Sequence, residues 1–319
     1  MSPLVCALSG CAVLMAAQAT PVPVILDTDL GDDIDDTWAL AMLLGCPQVD
    51  LKMIVTAYHD TETKTRLVAK ILEKVGRTDI PIGTGIKTAD RPINQAAWLG
   101  DYDLATYPGT IHKDGIEAAV DLIRASEGPV SLLVIGPQTN IPEMLKRDPS
   151  IAQKTRVVTM AGSVEIGYGG KEGRDPEWNV YADVAAAQAV FGAPWEIVMA
   201  PLDSCGTLIL DGHHYAHVAD AETARAEAVI ENYRNWANFP KHPAGQSSVL
   251  FDTVAAYLVF DEAFCTMETV KLAIDDEGNT VPDEEHGRPV RCALGWKDEA
   301  AFKKLLVEAV TGRPYAEKP

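Results

Sequence analysis

Basic side chains are scarce in this chain. Its 319 residues hold 27 lysines and arginines against 46 aspartates and glutamates, a formal net charge of −19. The sequence pI is about 4.7. Such a surface repels phosphate backbones, which argues against nucleic acid and leaves a small neutral molecule or a cation as the expected partner. The six cysteines include no CxxC pair, so neither a zinc site nor a thioredoxin-like motif is supported. Cys46, Cys205, Cys265 and Cys292 are scattered and read as structural thiols, with a disulfide open to them only in an exported protein. Charge is absent altogether from the first 26 residues. Within them LVCALSGCAVLMAA is too short for a membrane span, and Ala17-Gln18-Ala19 has the small-x-small pattern of signal-peptidase cleavage. Residues 1–19 are therefore expected to be a signal peptide, and residues 20–319 a mature domain that is periplasmic or secreted. No Lys or Arg precedes the apolar stretch, which keeps a cytoplasmic protein with a mis-assigned start as the alternative. Leu8-Ser9-Gly10-Cys11 resembles a lipoprotein box but is followed by more apolar residues, so it weighs less.

What the chain does have is an ordinary globular balance, 47% hydrophobic and 23% charged, in which short apolar runs alternate with helical stretches. Residues 22–26, 51–57, 130–136, 156–162 and 196–201 read as strands too uniformly apolar for a one-sided sheet. Residues 36–44, 62–75, 115–126 and 182–191 read as helices. This alternation predicts an α/β fold, an open and mainly parallel sheet with helices on both faces. Beyond about Asp220 the pattern turns helical, closing on a helix near 298–311; residues 275–295 read as loops or a hairpin covering one edge. In open α/β sheets ligands bind outside the carboxyl ends of the strands. Asp27, Asp29, Asp60, Gly136, Gly162 and Asp203 all follow strands, so the site is expected there.

Residues 25–40, ILDTDLGDDIDDTWAL, contain six aspartates. The first strand delivers Asp27 and Asp29 to its tip, Gly31 permits a turn, and Asp35 and Asp36 open a helix. Carboxylates in a first helical turn gain only about 0.3–1 kcal/mol each from the macrodipole, too little to hold a buried acidic cluster together. A hard divalent cation with six to eight oxygen ligands would do so, and the lack of Cys or His in the cluster favours calcium or magnesium over zinc. The alternatives are a solvated acidic capping loop, a structural calcium loop, or a phosphohydrolase of the D-x-D type. EF-hand spacing is not met. A haloacid-dehalogenase-type phosphatase would want Thr or Val where Gly31 stands.

Asp27-Thr28-Asp29-Leu30-Gly31 followed by Asp35-Asp36-Thr37-Trp38-Ala39-Leu40 resembles the N-terminal signature of the nucleoside hydrolases, the inosine–uridine-type N-ribohydrolases. Gly136-Pro137-Gln138-Thr139-Asn140, Met160-Ala161-Gly162, Glu177-Trp178-Asn179 with Asp183, and Asp252 at a helix start resemble further family segments in order, from about residue 22 to 260. The resemblance implies calcium held by Asp29, Asp36, Asp252 and the main-chain carbonyl of Ile135, with ribose hydroxyls and a nucleophilic water completing the shell. It makes Asp29 the general base. Asp35 would hold a ribose hydroxyl, Glu177 and Asn179 the sugar's 5′ and 3′ hydroxyls, and Asp60 would add a ribose contact. The activity implied is hydrolysis of a riboside N-glycosidic bond through an oxocarbenium-like state. A nucleoside or riboside is then the partner, and a homo-oligomer the expected assembly.

Plain structural roles compete at several positions: helix capping for Asp35, Glu177, Asn179 and Asp252, and a turn for Asp60. Two departures from the family pattern stand out. Asp32, Asp33 and Ile34 intervene where the family has one residue, leaving Asp32 without a role and Asp33 as an additional candidate ligand. Phe251 occupies the place of a histidine that purine-using members offer the leaving base, with His59, His112 and His242 as candidate replacements. Loss of that acid also admits a non-catalytic ribose- or nucleoside-binding protein. Trp98, Tyr102 and Tyr107 are read as packing under a loop, with base stacking as the alternative.

Overall fold

Strands buried on both faces need no polar side, and the uniformly apolar runs of this chain assemble accordingly. The computed structural model describes residues 20–315, so the expected signal peptide lies outside the described residues. The first half runs β1 (Val22–Thr28), α1 (Asp35–Gly45), β2 (Val49–Thr56), α2 (Thr61–Lys74), β3 (Ile82–Thr84), β4 (Ile111–His112), α3 (Gly115–Ala125), β5 (Val130–Val134) and α4 (Asn140–Arg147). There follow β6 (Thr155–Met160), α5 (Trp178–Tyr181), α6 (Val184–Gly192), β7 (Glu196–Ala200), α7 (Leu202–Cys205), α8 (Gly212–Ala219), α9 (Ala224–Asn235) and α10 (Phe251–Leu258). Last come β8 (Cys265–Ile274), β9 (Thr280–Pro282), β10 (Arg288–Trp296) and α11 (Glu299–Thr311).

The strands form one sheet in the order β4-β3-β2-β1-β5-β6-β7-β10-β8-β9. From β4 to β10 every pairing is parallel; β8 and β9 add antiparallel. Alternate residues of β1 feed different cores. Val24 and Leu26 pack with α1, α2, α9, α10 and α11, whereas Ile25 packs with α3, α4 and α6. Helices thus cover both faces, as the sequence pattern predicts. Asp60, Asp114, Asp183 and Asp298 cap α2, α3, α6 and α11 by accepting backbone N–H groups. The four described cysteines are free and buried. No described helix is long and apolar enough to cross a membrane.

The helices expected beyond Asp220 are present as α9, α10 and α11. The edge expected over 275–295 as loops or a hairpin is an antiparallel extension of the sheet that begins earlier, at Cys265, with β10 parallel to β7 and β8 antiparallel to β10. β8 carries exposed or half-exposed residues along most of its middle, including Glu268 and Lys271, because β9 pairs only with Leu272–Ile274 and leaves the rest of β8 as an open edge. It therefore lacks the apolar run that marks the central strands.

Candidate active site

The strand order reverses at β1, which lies between β2 and β5, so the crevice beyond the carboxyl ends of β1 and β5 is the switch point where open sheets bind ligands. Ile135 N–H donates to the Asp27 carbonyl across it (2.9 Å). Asp27 is fully buried, and its Oδ2 accepts from Asn140 Nδ2 (2.7 Å), which ties the tip of β1 to the start of α4. Burial pushes its carboxyl up to about 7, against that hydrogen bond. Gly136 passes so close to Asp29 that a Cβ there would sit 2.8 Å from both its N and its Oδ1. Glycine is required at this spot.

A pocket of about 280 Å³ opens at the switch point, and six carboxylates of the first turns and strand tip reach it: Asp29, Asp32, Asp33, Asp35, Asp36 and Asp252. One oxygen from each of Asp35, Asp36 and Asp252 lies within 4.8 Å of the others, all three residues being buried. Asp35 and Asp36 open α1, and Asp252 stands in the first turn of α10, so two helix N-termini converge on the triple. Asp252 N–H donates to Asp35 Oδ2 (3.2 Å), and Thr28 Oγ1 donates to Asp36 Oδ1. Burial first, and repulsion from neighbouring carboxylates after it (Asp33 on Asp35, Asp29 on Asp36, Asp35 on Asp252), hold all three carboxyls well above the usual range. An all-oxygen, buried and mutually repelling donor set fits a hard divalent cation. Asp29 stands outside this triple but in the same pocket, and Asp35, expected as a sugar contact, belongs to it. Burial pushes Asp29 up to about 6, against the nearby Lys64.

Glu177 caps α5 and also lines the pocket. Its carboxylate accepts from Asn179 N–H (2.8 Å) and Gly162 N–H (2.9 Å), while burial pushes it up to about 7. Asn179 Nδ2 donates to the carbonyls of Ile135 and Met160 (both 3.1 Å), so the amide joins β5 and β6 at the pocket wall. Capping and pocket lining thus coincide at Glu177. Phe251 lines the mouth with Tyr168 and Trp178, which are 40% and 45% exposed although large and apolar.

Asp60 does not reach the pocket. It caps α2, accepting from Thr63 Oγ1 (2.7 Å), and pairs with Lys87 (3.2 Å). Its short side chain is spent on the local turn, as the plain reading has it. Trp98 and Tyr107 are buried in the core and Tyr102 bonds Glu73, so none stacks in the pocket. Among the candidate histidines His59 lines the pocket, His242 lies beside it stacked on Trp236, and His112 sits away on β4.

The loop of residues 31–33 forms a bracket. Gly31, Asp32 and Asp33 offer their carbonyls to Gln95 N–H, Asn94 Nδ2 with Trp236 Nε1, and Gln95 Nε2 respectively. The loop before Gln95 and the end of α9 are thereby fastened to the site. Lys64 is fully buried beneath it, donating to the Asp29 carbonyl and to Asp32 Oδ2 (both 2.8 Å), with Asp29 Oδ2 at 3.6 Å. Lys64, Arg91, Asn94 and Asn238 were not anticipated. Lys64 had one signal, its place in the apolar stripe of α2 with Leu67, Val68 and Ile71.

A family model described as inosine-uridine preferring nucleoside hydrolase matches residues 24–306. The pyrimidine-specific ribonucleoside hydrolase RihA of Enterobacter sp. (strain 638) is 32% identical over 222 residues, 65% of this chain and 66% of that protein. RihA of Escherichia coli O1:K1 / APEC is 32% identical over 219 residues, 64% of this chain and 66% of its own length. In fold, a plant nucleoside hydrolase superposes with a TM-score of 0.78 at 20% identity, covering 92% of this chain and all of that one. A purine-preferring ribonucleoside hydrolase from Gardnerella vaginalis gives 0.76 at 21%, covering 91% and 98%.

Proposed function

As the chain belongs to the inosine-uridine preferring nucleoside hydrolase family, we propose that it hydrolyses the N-glycosidic bond of ribonucleosides, releasing ribose and free base, with calcium as cofactor. The observation that carries this reading is the buried triple of Asp35, Asp36 and Asp252 beside Asp29 at the sheet's switch point. Asp29, Asp36, Asp252 and the Ile135 carbonyl would hold the ion, and Asp35 would take a ribose hydroxyl. The bound cation supplies a lowered pKa for the attacking water and a fixed seat for the sugar diol. Asp29 takes the proton of that water, a role suited to a carboxylate that burial raises toward neutrality. Glu177 and Asn179 orient the sugar from the pocket wall, and the surrounding carboxylates stabilise positive charge developing at C1′. Export in front of this domain remains part of the proposal, as does a homo-oligomeric assembly.

The test is a panel of nucleosides with ribose and base quantified separately, in buffer without phosphate. Stoichiometric ribose and base support the reading. Tight binding without ribose release would favour a riboside-binding protein, and phosphate release from phosphomonoesters alone would favour a phosphohydrolase.

A further inference from the structure

We infer that Arg91 is a catalytic residue of the reaction proposed above, stabilising the departing base as an anion, and that Asp32 and His59 aim it. The inference rests on that proposed activity. Breaking the C1′–N bond leaves its electron pair on the base nitrogen. Phe251, where purine-using relatives are expected to offer histidine, cannot supply a proton.

Among the described residues lining the pocket, seven are acidic and Arg91 is the one permanent cation. The aspartates of the triple are buried, whereas Arg91 is exposed, so it stands toward the mouth, where a base pointing away from the sugar's seat must lie. Its guanidinium meets the His59 ring rather than a carboxylate, with NH1 donating to Nε2 (3.2 Å). Because a guanidinium only donates, Nε2 accepts and the ring proton sits on Nδ1, facing Asp32 Oδ2 (2.7 Å). His59 is therefore saturated and is not itself the proton donor. Asp32 Oδ2 is in turn fixed by buried Lys64 (2.8 Å). The chain Lys64–Asp32–His59–Arg91 runs from the base of α2 to the pocket mouth.

The backbone supports the same conclusion. Tyr58 and His59 both adopt positive φ, 59° and 52°, a conformation uncommon for non-glycine residues that clusters at functional sites. The conformation lets His59 N–H donate to Thr88 Oγ1 (2.8 Å) while its carbonyl accepts from Thr88 N–H (3.1 Å), pinning the loop that carries Arg91. Tyr168 is the competing proton donor: its hydroxyl accepts from Trp178 N–H (2.9 Å), which leaves its own proton free, and Y168F separates the two.

In balance, water oxygen bonds C1′, its proton passes to Asp29, and the C1′–N pair leaves with the base. Arg91 keeps its proton, and the base anion is protonated by solvent after release. Bases whose anion spreads onto a carbonyl oxygen beside the nitrogen are favoured, since that oxygen accepts from the guanidinium. Uridine is accordingly expected to be cleaved ahead of adenosine.

The experiment compares kcat/KM for uridine with that for p-nitrophenyl β-D-ribofuranoside, whose leaving group needs little help, using the calcium-supplemented full chain. R91A should lose about 100-fold on uridine, the usual effect of removing one charge-stabilising donor. It should stay within about threefold on the nitrophenyl riboside, since only leaving-group stabilisation is removed. R91K should recover part of the loss, because it keeps the charge without the fork. H59A should show the same split at about tenfold, as expected of a positioning residue. Equal losses on both substrates, no loss on either, or the split appearing in Y168F instead of R91A would overturn the inference. A wild-type chain that releases ribose from neither substrate would overturn the parent reading with it.

Discussion

Asp29 and Asp36 sit seven residues apart yet face different chemistry. Asp36 is locked by Thr28 into the acidic triple, whereas Asp29 is flanked by Gly136 and Lys64, with its carboxyl raised to about 6. D29N keeps the shape and removes the proposed base. It should lower kcat by about 10²–10⁴ while a riboside still binds, measured by single-turnover ribose release and by calorimetry. Unchanged turnover would remove Asp29 from the role. G136A should be nearly as harmful to kcat, because the new Cβ meets Asp29 N and Oδ1 at 2.8 Å and must displace them. The aspartates themselves were legible in the sequence because charge crowding and strand-loop-helix order are local signals. Lys64 and Arg91 were not. Their partners in the site lie 32–35 residues away, across α2 and the loop after β3, and nothing in the spacing announces that meeting.

Two helices, α1 and α10, direct their first turns at each other, and the acidic triple exists only because they do. D252N should therefore raise the melting temperature of the chelated protein, since it removes one of three mutually repelling buried carboxylates. It should also abolish the further rise caused by calcium. Scanning calorimetry with chelator and with calcium reads both effects; a full calcium shift in D252N would place the ion elsewhere. The five central strands and their flanking helices could be read from apolar runs and 3.6-residue periodicity. β3 and β4, three and two residues long, carry too few side chains for a pattern, and β8 is a half-exposed edge. Asp60 shows a related ambiguity. A carboxylate after a strand and before a helix can serve a ligand or the helix, and only the path of the loop at Lys87 decides for the helix.

At the scale of the molecule, stability is tied to what the pocket holds. Burial raises Asp27 from 3.8, and Glu177 from 4.5, each to about 7, so the folded chain binds more protons than the unfolded one across that window. Their contribution is present below about pH 4 and is lost as pH rises through about 7, so the chelated protein should melt lower at pH 7 than at pH 5. A cation that binds only the folded state adds about 2.7 kcal/mol at 100 times its dissociation constant and should offset that loss. Melting curves at both pH values, with and without calcium, check the sign. An acidic surface, one α/β sheet and a buried oxygen cage at its switch point all lead to the same central claim, cation-dependent cleavage of a ribonucleoside. The most direct measurement is the initial rate of ribose release from uridine by protein stripped with chelator, verified metal-free, and then resupplied with calcium. The rate should fall by orders of magnitude on stripping and return with calcium; an undiminished rate in the metal-free protein would contradict the account.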